Sequence, residues 1–301
     1  MNNYDHLDEQ TKAVINLSNE ERINYMHKPV WINYSKTKKL IQIMNQLMNY
    51  PKKPRMTNLL IVGEPNMGKT TVIRKFSQMH PDVTHEDEDG MSKAHKPVIL
   101  ALAPTTVDEK HIYISILEQF WTPFRPNDTT AKLRHQMLYL MRECNVRMLI
   151  IDEIHNILET STIKQRIAMN VLKNLSNELM IPIVGVGTDV AVKILSNDPQ
   201  HASRFQIARL SKLEENKELR GILHAFEKKL PLKKPSKIYQ KEKGKLLYNI
   251  CDGNLGNLHK LLIECATYAI ENEIEEITVD IIKQFRWVRP TKKDSPMEIP
   301  L

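Results

Sequence analysis

The chain has 301 residues, 41% of them hydrophobic and 26% charged, a composition typical of a globular protein with one large or two modest cores. It contains no run of about 18 apolar residues and no apolar segment near its start, so we expect neither a transmembrane helix nor a secretory signal. The three scattered cysteines disfavour a disulfide framework and indicate a reducing cytoplasm. The net charge of +7 weakly favours an acidic partner such as nucleic acid.

Helical signals dominate the first 50 residues. Ser18 is followed three positions later by Glu21, which is the pattern of a capping box at the start of a helix. Apolar residues then recur at helical spacing between residues 31 and 50. The segment 51–55, PKKPR, contains two prolines that end this helical region.

Continuous apolar runs then alternate with segments of helical periodicity. Runs without polar alternation are typical of parallel strands that are covered on both faces, and strand–helix alternation indicates a doubly wound α/β fold. We expect a parallel sheet of five strands, the last of which follows Arg204. The other four predicted strands are residues 58–62, 97–103, 147–152 and 181–187.

After about residue 211, all patterns are helical. We therefore predict four regions along the chain. They are an N-terminal helical segment (1–50), an α/β domain (51–211), a smaller helical domain (212–288) and a flexible tail (289–301). Eight lysines between residues 228 and 245 predict either a soluble linker or a second basic binding surface, and we favour the linker.

The loop after the first predicted strand reads GEPNMGKT over residues 63–70 and matches G-x-x-x-x-G-K-[ST] at every fixed position. Its glycines let backbone N–H groups face phosphates, and the helix that follows presents its positive end to the same anion. Lys69 can reach the β- and γ-phosphates of ATP, and the Thr70 hydroxyl can ligate Mg²⁺. The strand before the loop and the helix after it disfavour a chance match. The predicted nucleotide contacts are Gly63, Glu64, Pro65, Asn66, Met67, Gly68, Lys69, Thr70, Thr71 and Asp152.

A second motif follows the strand predicted at 147–152. This strand delivers Asp152 and Glu153 to the carboxyl edge of the sheet, where ligands of open α/β sheets bind. Asp152 is a candidate Mg²⁺ ligand together with Thr70, and Glu153 is a candidate to polarise the water that attacks the γ-phosphate. The alternative is that these acids only cap the next helix. His155 completes a D-E-x-H sequence that also occurs in some helicases, but we favour a local hydrogen-bonding role for it.

Two further positions are candidates for sensing or completing the reaction. Thr188 ends the strand predicted at 181–187, where it would lie beside the γ-phosphate as a sensor or would cap the next helix. Arg204 precedes the last predicted strand and is a candidate arginine finger for the nucleotide of a neighbouring subunit. The alternatives are a surface ion pair for Arg204, or Arg209 as the finger.

Together, these motifs resemble those of the AAA+ ATPases, in the order Walker A, Walker B with glutamate, polar sensor, S-R-F arginine and helical lid. Within that group, residues 10–285 are similar to the TniB branch of the TniB/TnsC family of transposition ATPases. The more specific segments are W-I-x-Y, R-M-x-N-L-L-I-V-G and N-E-L-x-I-P-I-V-G-V-G-T. The resemblance implies an AAA+ P-loop fold, in which 51–211 binds the nucleotide and 212–288 is the lid.

For function, the resemblance implies an ATPase that uses Mg²⁺ and forms a ring or helical homo-oligomer on double-stranded target DNA. Its implied partners are a DDE transposase and a target-selector protein of the TniQ type, in the bacterial cytoplasm. A replication initiator or helicase loader shares this fold and is the first alternative. A signalling switch that binds only proteins is the second. A true helicase is disfavoured because no second helicase motif is found.

One position departs from the AAA+ pattern. Lids of this group often carry an arginine that touches the γ-phosphate, whereas here the matching position is His259, followed by Lys260. Histidine is shorter than arginine and is neutral over much of the physiological range, which leaves open whether the lid supplies a cation. Slow hydrolysis would suit a protein that must stay assembled on DNA.

The resemblance also suggests where DNA would bind. In AAA+ rings, the loops after the second and third strands build much of the inner surface, and here these loops are 104–111 and 159–166. Their basic and hydroxyl side chains could contact phosphates without reading sequence. Solvated helix starts are an equally good explanation of these residues. The candidate DNA contacts are Thr105, Thr106, Lys110, Lys164 and Arg166.

Overall fold

The computed structural model describes residues 4–86, 92–196 and 199–285, so the predicted tail at 289–301 lies outside the described residues. The strands are β1 (Asn58–Val62), β2 (Val83–Glu86), β3 (Ser92–His95), β4 (Val98–Leu102), β5 (Met148–Asp152), β6 (Ile183–Gly187) and β7 (Phe205–Arg209). The helices are α1 (Glu9–Lys12), α2 (Asn19–Met26), α3 (Ser35–Met48), α4 (Lys69–Met79), α5 (Glu109–Leu117), α6 (Thr130–Glu143), α7 (His155–Leu158), α8 (Thr162–Leu179), α9 (Asp189–Ser196), α10 (Pro199–Ala202), α11 (Lys217–Glu227), α12 (Lys241–Cys251), α13 (Leu255–Glu271) and α14 (Val279–Gln284).

The contacts divide the chain into two compact units. Of the described residues, we call those within 39–64 and 69–210 the α/β unit, and those within 1–38, 65–68 and 211–301 the helical unit. The helical unit thus includes four residues from the loop between β1 and α4. The domain boundaries drawn from the sequence remain a prediction. No described helix is long and apolar enough to span a bilayer.

The α/β unit contains one sheet of five parallel strands in the order β4-β5-β6-β1-β7. Every residue of β1, β5 and β6 is buried, which explains why their sequences are uninterrupted apolar runs. The prediction of a doubly wound, five-stranded parallel sheet is confirmed.

The strand order determines where a ligand can bind. β1 lies between β6 and β7, whereas the next strand of this sheet along the chain, β4, lies at the far edge. The connections therefore leave β1 in one direction and later return past it to β7. In open α/β sheets, the crevice at such a reversal, outside the carboxyl ends of the strands, is the ligand site.

A second, two-stranded sheet was not predicted from the sequence. β2 and β3 pair antiparallel, with Val83 opposite His95 and Thr84 opposite Ala94. Each strand has only four residues, and neither contains an apolar run or a clean alternation. The two periodicities that reveal strands in a sequence are therefore missing here.

In the helical unit, a buried ion pair joins the N-terminal segment to the C-terminal helices. Arg22 of α2 is fully buried and donates to both carboxylate oxygens of Glu275, at 2.9 and 2.5 Å, and to Pro231 O. α2 begins with the predicted capping box between Ser18 and Glu21, which is confirmed. Described residues from 211 to 285 contain no strand, as expected.

The lysine-rich segment 228–245 is part of this core, so the prediction of a linker is wrong. Leu230, Leu232 and Ile238 within it are buried, with 5%, 2% and 0% exposure. Its lysines extend from a packed backbone, and Lys243 Nζ donates to the carbonyls of Ser236 and Ile277 at 2.6 and 2.8 Å. The prediction failed because the abundant charges obscure the three apolar anchors.

Candidate nucleotide-binding site

Two glycines shape the phosphate-loop motif at 63–70. Gly63 follows the last residue of β1, and a Cβ there would lie 2.6 Å from Leu210 O, so any larger residue would push β1 away from the segment after β7. Gly68 has φ +83°, a left-handed conformation that side chains disfavour. The chain turns at these positions and enters α4 at Lys69.

The Lys69 ammonium lies over the start of its own loop. Its Nζ donates to Gly63 O at 2.8 Å and to Glu64 O at 2.9 Å. Partial burial lowers the pKa of Lys69, and this effect exceeds the opposing attraction of nearby acids, chiefly Glu153 and Asp152. A phosphate at this position would compensate the desolvated ammonium.

Thr70 and Asp152 come together as the two motifs predict. Thr70 Oγ1 donates to Asp152 Oδ2 at 2.8 Å, and Asp152 is buried at the end of β5. Hydroxyl and carboxylate oxygens are hard ligands of the kind that Mg²⁺ prefers, with phosphate oxygens and water completing its shell. The pair therefore fits a magnesium–nucleotide complex.

Glu153 follows Asp152 in a conformation that is uncommon for a residue with a side chain. Its φ is +54°, and its side chain is 44% exposed. His155 Nδ1 lies 3.2 Å from Glu153 Oε2, although the two atoms are not aligned for a hydrogen bond. The same ring lies against β6, since a Cβ on Gly187 would be 3.4 Å from His155 Nδ1. His155 thus borders the carboxylate that is the candidate for polarising water.

Thr188 directly follows β6, at the same edge of the sheet. Its hydroxyl is buried and has no hydrogen-bond partner among the described residues, so it does not cap α9. A buried hydroxyl without a partner costs free energy unless a ligand or water satisfies it. Together with Lys69, Thr70 and Asp152, this unpaired group fits a bound nucleoside triphosphate with Mg²⁺.

A family comparison covers all of these side chains. The model of a family described as "Bacterial TniB protein" matches residues 22–215, almost two thirds of the chain. The chain belongs to the TniB family. The sequence has no match among curated proteins.

Solved structures confirm the P-loop fold of this TniB-family chain. The ORC2 protein of Aeropyrum pernix, solved as ADPNP–ADP complexes, has 14% identity and a TM-score of 0.59 over 87% of this chain and 70% of its own. Cdc6p of Pyrobaculum aerophilum has 16% identity and a TM-score of 0.62 over 87% and 69%. The A. pernix ORC1 protein in complex with DNA has 12% identity and a TM-score of 0.55 over 87% and 68%.

The two candidate finger arginines lie at opposite edges of the sheet. Arg204 precedes β7, where Asn58 N donates to its carbonyl at 2.8 Å, and its Nη1 donates to Asn177 Oδ1 at 2.8 Å. Arg209 ends β7 at the carboxyl edge and pairs with Asp189, the first residue of α9. The structure therefore groups Arg209, but not Arg204, with the Walker residues of the same chain.

The candidate DNA contacts follow neighbouring strands of the sheet. Thr105 and Thr106 are exposed after β4, and Lys110 is half-buried in the first turn of α5. Lys164 and Arg166 are exposed in the first two turns of α8. Because β4 and β5 pair in parallel, the chain leaves both strands at the same edge.

His259, at the position where the AAA+ pattern has a lid arginine, packs against another ring within the helical unit. The ring of His259 stacks on Phe226, with centroids 5.5 Å apart and planes at 22°. Burial and the nearby His27 lower the pKa of His259, which favours the neutral form of the ring. The stacking and the lowered pKa both disfavour a role for His259 as a substitute for the lid arginine of the AAA+ pattern.

Two groups of contacts around the site could not be predicted from the sequence. Asp189 was not selected because an acid in the first turn of a helix usually serves the helix itself. Asn254 and Gly256, which hydrogen-bond to the backbone of residues 65 and 66, were also missed. The only sequence signal for them is an asparagine followed two positions later by a glycine, in DGNLGN at 252–257. This pattern is common at the starts of helices.

Proposed function

We propose that this TniB-family chain is an ATPase that acts as a switch for assembly. In this proposal, Lys69 and the loop amides hold the phosphates, Thr70 and Asp152 hold Mg²⁺, and Glu153 orients the attacking water. Thr188 senses the γ-phosphate, and Arg204 of a neighbouring subunit completes the site. Hydrolysis is slow and coupled to assembly.

The observation that carries the proposal is the buried hydroxyl of Thr188. It has no hydrogen-bond partner in the described part of the chain and lies at the same edge of the sheet as the Thr70–Asp152 hydrogen bond. A phosphate oxygen of a bound nucleotide, or a water held beside it, would satisfy this hydroxyl. The ADPNP–ADP complexes of the A. pernix ORC2 protein support nucleotide binding by a related fold.

We further propose that ATP binding drives oligomerisation on double-stranded DNA in the bacterial cytoplasm, as a ring or a helical filament. The exposed Lys164 and Arg166 support contacts to phosphates, and the A. pernix ORC1 protein, solved in complex with DNA, supports DNA binding by this fold. Membership of the TniB family supports a DDE transposase and a TniQ-type target selector as partners. The chain would then link target choice to transposase recruitment.

Electron microscopy and sedimentation with duplex DNA test this proposal. The protein is incubated with DNA and either no nucleotide, ADP, ATP or a non-hydrolysable ATP analogue. We expect ordered oligomers only with ATP or the analogue, and none for Lys69→Ala. Arg74→Ala is the control, because Arg74 is an exposed cation on the same helix α4. Assembly that is indifferent to nucleotide contradicts the switch, and ATP-dependent oligomers that never retain DNA favour a protein-only switch.

A replication initiator or helicase loader is the second candidate, and the ORC and Cdc6 neighbours favour it. The two candidates differ in the partner that the DNA-bound oligomer retains. Pull-down with a transposase and with a replicative helicase from the same organism separates them. Retention of the helicase alone would replace the transposition proposal.

A further inference from the structure

The tip of the phosphate loop is held by the start of helix α13, within the helical unit. The Asn254 side-chain amide donates to Pro65 O at 3.0 Å, and the Gly256 backbone amide donates to Asn66 O at 2.7 Å. Two consecutive carbonyls of the loop therefore accept hydrogen bonds from one helix start.

The junction is tightly packed and tolerates little change. A Cβ on Gly256 would lie 2.4 Å from Asn66 O and 2.8 Å from Asn66 Cβ, so only glycine allows this approach. Asn254 is 1% exposed and Asn257 is fully buried. Asn66 has φ +62°, a left-handed conformation that the neighbouring contacts help to maintain.

Asn254 performs two tasks with the two ends of its side-chain amide. Its oxygen accepts from Asn257 N at 3.1 Å and so caps α13, while its nitrogen reaches Pro65 O. An ordinary N-cap needs only the oxygen. The nitrogen is the part of this side chain that serves the loop rather than the helix.

The orientation of a phosphate loop depends on its carbonyls as well as its amides. When the N–H groups of such a loop point at an anion, its carbonyls point elsewhere and need partners of their own. Fixing the Pro65 and Asn66 carbonyls thus restricts the rotation of the peptide planes that carry the following N–H groups.

We propose that Asn254 is a positioning residue for nucleotide binding, through which the lid acts on the backbone of the phosphate loop. The inference rests on the proposed binding of nucleotide at 63–70. It gives the lid a route to the phosphates that does not need an arginine, consistent with the stacking of His259 on Phe226. By linkage, nucleotide binding in turn stabilises the start of α13.

The test replaces the amide nitrogen while keeping a capping oxygen. Asn254→Asp is isosteric but adds a charge, and Asn254→Ser is neutral, so agreement between them excludes a simple charge effect. Asn216 is the matched control, because it caps α11 through Glu218 N and Leu219 N without contacting the loop. The control variants are Asn216→Asp and Asn216→Ser.

Affinity for a fluorescent ATP analogue is measured with Mg²⁺, together with thermal unfolding without nucleotide. We expect both Asn254 variants to bind about tenfold more weakly than the corresponding Asn216 variants at comparable thermal midpoints. Affinities within about twofold of the controls would overturn the inference. Lys69→Ala separates the two proposals: if wild type binds and this variant does not, the site stands even when the Asn254 variants bind normally.

Hydrogen exchange of the wild-type protein provides a test that does not depend on folded variants. We expect ATP to slow exchange of the Gly256 and Asn257 amides but not of the Leu219 amide at the control cap. Unchanged exchange at Gly256 in a protein that binds ATP would refute the coupling, whatever the variants show.

Discussion

Thr70 Oγ1 donates its proton to Asp152 Oδ2 at 2.8 Å, which joins the start of α4 to the end of β5. The other carboxylate oxygen, Oδ1, accepts from Glu153 N at 2.9 Å, so the orientation of Asp152 is fixed from both sides. Because the hydroxyl proton is directed at the carboxylate, the lone pairs of Thr70 Oγ1 remain available to a cation. This geometry predicts how the site depends on magnesium.

Asp152→Asn should uncouple nucleotide binding from Mg²⁺. The amide keeps the shape of the side chain but removes the negative charge that a divalent cation needs. We expect Mg²⁺ to raise ATP affinity in wild type by roughly tenfold or more, and hardly at all in the variant. Asp128→Asn is the control, since Asp128 pairs with Lys132 on the surface. If Mg²⁺ and EDTA change the ATP affinity of Asp152→Asn as much as that of wild type, Asp152 is excluded as a metal-binding residue.

Glu153→Gln should bind ATP normally but hydrolyse it slowly. Glutamine retains the size of the side chain but cannot polarise water as a carboxylate does, and such losses are typically about 10²-fold or more. Phosphate release under single-turnover conditions measures the step directly. Glu159→Gln, at a position just after α7, should behave like wild type. If Glu153→Gln hydrolyses ATP at the wild-type rate, another group must polarise the attacking water.

The sequence predicted the sheet well, and the phosphate-loop motif was recognisable, because each has a strong local signal. The four strands β1, β4, β5 and β6 are short apolar runs, and the phosphate loop is a fixed pattern of glycines and a lysine. The conformation of Glu153, with φ +54°, has no such signal, because glutamate is not a residue type that favours it.

Contacts between distant segments could not be predicted for a different reason. Arg22 and Glu275 are separated by 253 positions, and each alone is indistinguishable from a solvated charge. The hydrogen bond from Asn254 to Pro65 O likewise depends on the packing of α13, which no local pattern encodes. The burial of segment 228–245 was missed because burial is decided by three apolar residues among many lysines.

Lys164→Ala should weaken DNA binding for all sequences alike. Lys164 is exposed near the start of α8 and has no ion pair among the described residues. Removing one phosphate contact should lower the slope of log affinity against log salt by roughly 1. Lys193→Ala, a lysine on α9, controls for net charge. If the slope of log affinity against log salt is the same in the two variants, the DNA does not contact Lys164. A strong preference for one short sequence would contradict binding through phosphates.

Glu275→Gln should destabilise the helical unit by about 2–4 kcal/mol, because it leaves the buried Arg22 charge without its partner. Burial alone would raise the pKa of Glu275, but hydrogen bonds from Arg22 and Lys233 N outweigh it and lower that pKa below the ordinary 4.5. A carboxyl whose pKa is lower in the folded state stabilises the fold at any pH above its unfolded-state pKa. This contribution is lost as the pH falls through the folded-state pKa.

Chemical denaturation at a series of pH values therefore checks both statements. The difference in unfolding free energy between wild type and Glu275→Gln should be greatest at neutral pH and should shrink below about pH 4.5. Glu276→Gln, one residue further along, should show no comparable change. A difference that stays constant down to the acid limit would mean that the Glu275 charge contributes nothing.

Arg204 should act on the nucleotide of a neighbouring subunit. It precedes β7, whereas the phosphate loop follows the paired strand β1, so about 16 Å of strand separates Arg204 from the edge that carries its own Walker residues. Arg204→Ala should therefore bind ATP nearly normally but fail to hydrolyse it or to assemble. The expected loss of turnover is about 10³-fold, the order that a finger contributes.

Mixing Arg204→Ala with Lys69→Ala distinguishes action in trans from action in cis. An Arg204-deficient subunit still binds ATP, and its Lys69-deficient neighbour still supplies the arginine, so mixed oligomers should regain some turnover. Arg209→Ala mixed with Lys69→Ala is the comparison, because Arg209 lies at the carboxyl edge beside Asp189, with its own subunit's Walker residues. A residue that acts only within its own subunit cannot be rescued in this way. If both pairs of variants associate but only the Arg209 pair regains activity, the finger is Arg209, and Arg204 serves only its hydrogen bond to Asn177.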